Sequence, residues 1–184
     1  MRPSATTLSH GNRPRNALSA TLPANRLPNP GFEQGGINWK LSGTGTAIVQ
    51  TNSANAHSGS NYAELTSAAG KQPLFNSADA SGNWAYYPAN PGDVINFGGW
   101  ANRISGDGSV RYILAAYDAN KANPIRTPSG NASTTPGWGY QQRSYTLPSG
   151  YAFVRFYAEI YNNTVSADAY FDDAVLSGGF LYLP

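Results

Sequence analysis

At 184 residues and 40% hydrophobic content the chain can build one core but not two comfortable domains, and its formal charge of +2 is too small to mark it as a general polyanion binder. Cysteine is absent, so disulfide bracing, thiol nucleophiles and thiolate metal sites are excluded, and with His10 and His57 alone a histidine-rich zinc centre or a catalytic triad has very little to draw on. No apolar run approaches the roughly 18 residues of a membrane span, and the start lacks an apolar leader, so a chain beginning at Met1 is expected to stay off the usual export route.

The first segment, Met1–Pro28, carries Arg2, Arg13, Arg15 and Arg26 with no acid and no aromatic, and is punctuated by Pro3, Pro14, Pro23 and Pro28. Such a stretch cannot bury itself and reads as an extended arm. Removing its four arginines from the formal +2 leaves the remainder at about −2, so the basic character belongs to the arm. Arg2, Arg13, Arg15 and Arg26 are therefore expected to meet a partner. Without interleaved aromatics they make a poor nucleic-acid footprint, and a protein assembly is the expected partner.

The domain proper is expected to open at Asn29-Pro30-Gly31-Phe32-Glu33, where the first aromatic and the first acid follow a turn. With 20 glycines, 13 prolines and few helix formers between turn signals, the chain has an all-β composition. Extended segments are predicted over Thr44–Thr51, Tyr62–Leu65, Pro73–Asn76 and Trp84–Tyr87, with a turn at His57-Ser58-Gly59-Ser60-Asn61 and another at Pro91-Gly92-Asp93. Val94–Arg103 alternates, with Ile95, Phe97, Gly99 and Ala101 inward and Asn96, Gly98, Trp100 and Asn102 outward. Asp107-Gly108 reads as a hairpin turn into Val110–Tyr117. A loop then runs to Trp138, and Tyr140–Thr146 resumes the extended pattern. Phe153–Tyr161 gives the clearest alternation, setting Val154, Phe156, Ala158 and Ile160 against Phe153, Arg155, Tyr157, Glu159 and Tyr161. The last strand holds Tyr170–Leu176, and the apolar tail 179–184 is expected to pack on a neighbouring copy in a homo-oligomer.

This order of signals resembles the galactose-binding-like jelly-roll β-sandwich of carbohydrate-binding modules. The residues that carry the resemblance are Asn29-Pro30-Gly31-Phe32-Glu33, Trp39, His57-Ser58-Gly59-Ser60, Pro91-Gly92-Asp93 before the strand with Trp100, and Phe171-Asp172-Asp173-Ala174-Val175-Leu176. They span residues 29–178. The resemblance implies a structural calcium tying the first strand to the last, with Glu33 and Asp172 as carboxylate ligands and backbone oxygens from Gly31, His57 and Ser60. Two carboxylates with carbonyls from turns are a usual calcium donor set.

A glycan site needs flat rings for stacking and polar groups for hydroxyls. The outward residues Asn96, Trp100 and Asn102, and Arg155, Tyr157 and Glu159, supply both, with Arg111 and Tyr117 joining from the strand between. Catalysis by glycoside hydrolysis needs two carboxylates across a cleft, and Glu159 has no evident partner, so no enzyme is expected. The arm, the fold and the lack of a leader together point to a bacteriophage virion accessory protein of the capsid decoration or cement type, laced to other virion proteins by its arm. The alternative is a carbohydrate-binding module of a secreted, extracellular glycan-active protein.

Overall fold

The computed structural model describes residues 24–130 and 137–178; Arg2, Arg13, Arg15 and the tail 179–184 lie outside them. The described strands are β1 (Trp39–Gly43), β2 (Thr46–Thr51), β3 (Asn61–Ser67), β4 (Pro73–Ser77), β5 (Tyr87–Pro88), β6 (Val94–Ser105), β7 (Ser109–Tyr117), β8 (Ile125–Pro128), β9 (Gly139–Thr146), β10 (Phe153–Tyr161) and β11 (Ala167–Ser177). They form two antiparallel sheets. One runs β1-β4-β10-β7-β8, with β5 also on β10; the other runs β2-β3-β11-β6-β9. No helix occurs among the described residues, and the architecture is an all-β jelly-roll sandwich.

Alternation explains which side of each strand is buried. Val110, Tyr112, Leu114 and Ala116 of β7 and Val154, Phe156, Ala158 and Ile160 of β10 meet Ile95, Phe97 and Ala101 of β6 and Phe171, Ala174 and Leu176 of β11 in one core. Tyr112 joins the two sheets. Its ring lies 5.3 Å from that of Phe156 and 5.2 Å from that of Phe171, and its hydroxyl is within hydrogen-bond distance of the carbonyls of Trp100 and Asp172. Gly99 is required beside it, because a Cβ there would collide with the Tyr112 ring and the Ala174 backbone.

Trp39 belongs to the core, packed on Phe32, Phe75 and Phe156, and its indole N–H donates to the Asn29 carbonyl at 2.8 Å. The Asn29 amide in turn donates to the carbonyls of Gly35 and Ile37. The opening turn is therefore held by its first residue. The chain just before it is also docked. The Asn25 side chain bonds Ala174 and Leu176, the Arg26 N–H donates to Leu176, and Leu27 is buried. Residues 25–28 thus lie against β11 as part of the folded unit.

Four sequence expectations need correction. Asp107-Gly108 does not close a hairpin: β6 and β7 lie in different sheets, and the turn carries the chain across the sandwich, with Asp107 accepting N–H bonds from Thr164 and Val165. Of Trp84–Tyr87 only Tyr87 enters a strand, while Trp84 makes a single bridge with Ala78. The loop expected before Trp138 contains β8, an edge strand on β7 that follows Pro124 and ends at Pro128. Finally, β7 is not between β6 and β10; it neighbours β10 and β8.

Candidate functional site

That last correction divides the expected ligand set. Asn96, Trp100 and Asn102 project from β6 on the outer face of the β11 sheet, whereas Arg111, Arg155, Tyr157 and Glu159 project from β7 and β10 on the outer face of the other sheet. They cannot line one groove.

The β6 set is largely occupied by its own chain. Trp100 is stacked by His57 at 3.9 Å between ring centres and flanked by Tyr140 at 5.3 Å. Asn96 accepts from the Ser144 hydroxyl, and Asn102 accepts the Gly137 N–H. Rings and amides here satisfy one another.

The outer face of the β10 sheet is different. Strand registers place Lys40, Asn76, Tyr157 and Ile113 in one row, Arg155, Ala115 and Arg126 in the next, and Leu74, Glu159 and Arg111 in a third. Although this face looks away from the main core, Ile113, Ala115, Tyr117 and Tyr157 are buried together, with Leu74, Tyr86 and Phe153 packed against them. The segment 79–86 accounts for part of that cover. Trp84, itself 44% exposed, stacks on the Arg155 guanidinium at 4.1 Å, and Tyr86 lies 5.4 Å from the same group. Beside these rings is a surface depression of about 510 Å³ lined by Lys40, Asp79, Asn83, Trp84, Tyr86 and Lys121.

Arg155 is 7% exposed and has no carboxylate partner among the described residues. Its terminal nitrogens donate to Asn76 Oδ1 at 2.6 Å and to the Tyr117 hydroxyl at 3.2 Å, while its Nε is buried without a partner. Two residues along β10, the Tyr157 hydroxyl is likewise buried and unpartnered. Burial raises the Tyr157 pKa well above the ordinary phenol range, so this hydroxyl stays protonated and remains a donor. Glu159, by contrast, is fully engaged: Arg111 Nε donates to one oxygen at 2.7 Å and Gln72 Nε2 to the other at 2.8 Å. Arg111 also lies over the Tyr161 ring at 4.3 Å.

Sequence reasoning set Arg155, Tyr157 and Glu159 on one outward row with Arg111 beside them, and gave no place on this face to Asn76, Trp84 and Arg126. The alternation of Leu74 and Asn76 about buried Phe75 marks the first, and Ile125 and Thr127 around Arg126 carry a short β signal. Trp84 sits in a loop whose path no periodicity reveals.

At one end of the sandwich the expected cation ligands do converge. Glu33 Oε1 accepts the N–H groups of Ser60 and Asn61, each at 2.9 Å. Asp172 Oδ2 accepts those of His57 and Ser58, and its Oδ1 accepts that of Asp173. A register shift between Asp172 and Val175 swings Asp173 toward the same loop, where it meets the His57 ring at 2.7 Å and the Ser58 hydroxyl at 2.9 Å. Gly31 closes the ring, since a Cβ there would come within 3.2 Å of Asp173 Oδ1.

Does a hard cation suit this set? No three acidic or histidine side chains form a metal cluster among the described residues, so carboxylates alone are insufficient and backbone oxygens have to contribute. The Ser60 carbonyl already accepts from Asn52 N. In favour, Asn61 Oδ1 is buried without a partner beside Glu33, and Asp172 is a buried acid whose pKa is raised to about 6 chiefly by that burial. The oxygen chemistry fits calcium.

No protein-family profile matches the chain, and no curated protein is similar to it. Solved structures match its fold. The enzymatically active domain of tailspike protein 4 from bacteriophage CBA120 aligns with a TM-score of 0.61 at 15% identity, over 84% of this chain and 21% of that one. TmCBM61, solved in complex with β-1,4-galactotriose, aligns at 0.54 and 20% identity over 84% of this chain and 99% of that one. The CBM22-2 xylan-binding domain of Paenibacillus barcinonensis Xyn10C aligns at 0.58 and 19% identity, over 81% of this chain and 97% of that one. The chain therefore spans about a fifth of the tailspike structure and nearly all of each module. Its fold is the jelly-roll β-sandwich that these modules share.

Proposed function

We propose that this domain is a non-catalytic glycan-binding module whose ligand lies across the outer face of the β10 sheet. The observation that carries the reading is the pair of buried, unpartnered donors, Arg155 Nε and the Tyr157 hydroxyl, next to the exposed Trp84 ring. Buried donors left unpaired cost stability, and sugar hydroxyls and ring oxygens are what such donors with a flat ring can take up. The fold neighbours that bind xylan and β-1,4-galactotriose support it. With Glu159 held by Arg111 and Gln72, and Asp79 and Asp118 bonded within their own turns, the described residues of this face offer no free pair of carboxylates for hydrolysis, which supports binding without turnover.

The test is a glycan array probed with the wild type and with Trp84→Ala. Binding to at least one glycan that falls on losing Trp84 is expected; an array blank for the wild type, or signals indifferent to Trp84, would overturn the proposal.

The setting we favour is a virion accessory protein, anchored to other virion proteins through Arg2, Arg13 and Arg15, with the module displayed outward. The likeness to a phage tailspike supports that setting, the likeness to xylanase modules supports equally the alternative of a module from a secreted glycan-active protein, and co-sedimentation of full-length and arm-deleted protein with purified particles decides between them. Arg26 contributes differently. It lies over the Tyr87 ring and donates toward the Pro88 carbonyl, which fits a role in seating the arm on its own domain. Calcium is proposed as a structural ion held by Glu33 and Asp172 with backbone oxygens of Gly31, His57 and Ser60, where it would neutralise the buried carboxylate.

A further inference from the structure

We infer that the ligand of this face is an acidic glycan, and that its carboxylate sits over Ala115 between Arg155 and Arg126. The inference rests on the proposed glycan-binding role and names the substrate class.

The described residues carry nine Lys and Arg against all ten acids of the chain, so the folded unit as described is slightly acidic. This one face runs against that balance, gathering Lys40, Arg111, Lys121, Arg126 and Arg155. The acids nearby offset only part of this. Glu159 is paired with Arg111, while Asp79 and Asp118 each accept N–H bonds within their own turns, which lowers their pKa values and keeps them anionic. Five cations against three carboxylates leave the face with a net charge of +2.

The register supplies the geometry. Arg155, Ala115 and Arg126 are directly opposed across β10, β7 and β8, and neighbouring strands lie about 4.8 Å apart, so the two arginine backbones flank Ala115 at a separation of about 10 Å. Ala115 is itself covered, at 0% exposure, and its small side chain adds no bulk between the two long cationic side chains. The Tyr157 hydroxyl stands one position along on the same face. A sugar carboxylate there would pair directly with the exposed Arg126 guanidinium, and would take up Arg155 Nε and the Tyr157 hydroxyl, both closed to solvent in the free domain, by displacing the side chains that cover them. A neutral sugar could pair Arg155 Nε and the Tyr157 hydroxyl but would leave the cations uncompensated. Burying Arg155 with no acid beside it is costly in the free domain, and an anionic ligand relieves that cost.

The experiment is calorimetric titration with polysaccharides rich in uronic acid, each paired with its carboxyl-reduced counterpart, alongside a sulfated glycan lacking uronates. Tighter binding of a uronate form than of its reduced form by about tenfold or more is expected, weakening with salt because Arg126 is exposed. Arg126→Gln, a surface change that leaves packing intact, should erase most of that difference while leaving the thermal midpoint in place. If reduced and acidic forms bind equally through Trp84, the inference falls and glycan binding stands. If the sulfated glycan binds as well as the uronates, the assignment of a carboxylate falls. If no glycan binds, both the inference and the reading beneath it fall.

Discussion

Tyr157→Phe should make the free domain more stable and its ligand complex weaker. The Tyr157 hydroxyl is buried without a hydrogen-bond partner, and the residue as a whole is 3% exposed. A buried unsatisfied polar group costs about 1–3 kcal/mol, so removing one oxygen while keeping the ring is expected to return about 1 kcal/mol. For a domain of this size that raises the melting temperature by about 2–4 °C. The same oxygen is a donor awaiting a sugar acceptor, and losing one hydrogen bond is worth about fivefold in Kd. Differential scanning calorimetry reads the first effect and isothermal titration with an array-selected glycan the second. A variant that melts lower than the wild type, or binds as well, would refute the view that this hydroxyl is kept unsatisfied for a ligand.

Asp172 makes a second prediction. Its pKa of about 6 exceeds the unfolded value of about 3.9, so the folded state holds the proton more tightly and the charged form is the destabilising one. With calcium chelated, its contribution is greatest below about pH 4 and is lost as pH rises through about 6, by on the order of 2–3 kcal/mol. Saturating calcium should abolish that fall by favouring the carboxylate. Melting curves of the wild type minus Asp172→Asn, from pH 4 to 7 with chelator or calcium, check the sign; a rising chelated difference would contradict it. Gly59→Ala forces a β-carbon onto the Glu33 carboxylate at a φ of +62°, and a loss of about 1–3 kcal/mol in urea unfolding is expected. Trp39→Ala empties the aromatic cluster under the opening turn and should cost about 3–5 kcal/mol by the same assay.

Alternation encodes facing, and that decides which features are legible in the sequence. In β6, β7 and β10 a period of two tells inward from outward side chains, because each strand buries one face. It carries no information about which sheet a strand joins. Asp107-Gly108 therefore reads as a hairpin when it is a crossing between sheets, and alternation alone sets Trp100 and Arg155 in one groove. The meeting of Glu33, Asp172 and the 57–60 turn is legible from the motifs at residues 29–33, 57–60 and 171–176, since turns and acids there are contiguous in sequence. The burial of Arg155 is not, because it comes from rings on the segment 79–86, contributed from far along the chain.

The central claim, a glycan on the outer face of the β10 sheet, is tested most directly by the four tryptophan indole N–H signals in a ¹H–¹⁵N spectrum during glycan titration. Trp84 stands on the proposed face, Trp100 and Trp138 on the opposite one, and Trp39 in the core. A saturating shift of the Trp84 signal, with Trp100 and Trp138 unmoved, is the result expected. Shifts confined to Trp100 and Trp138 would move the site to the other sheet and contradict the account.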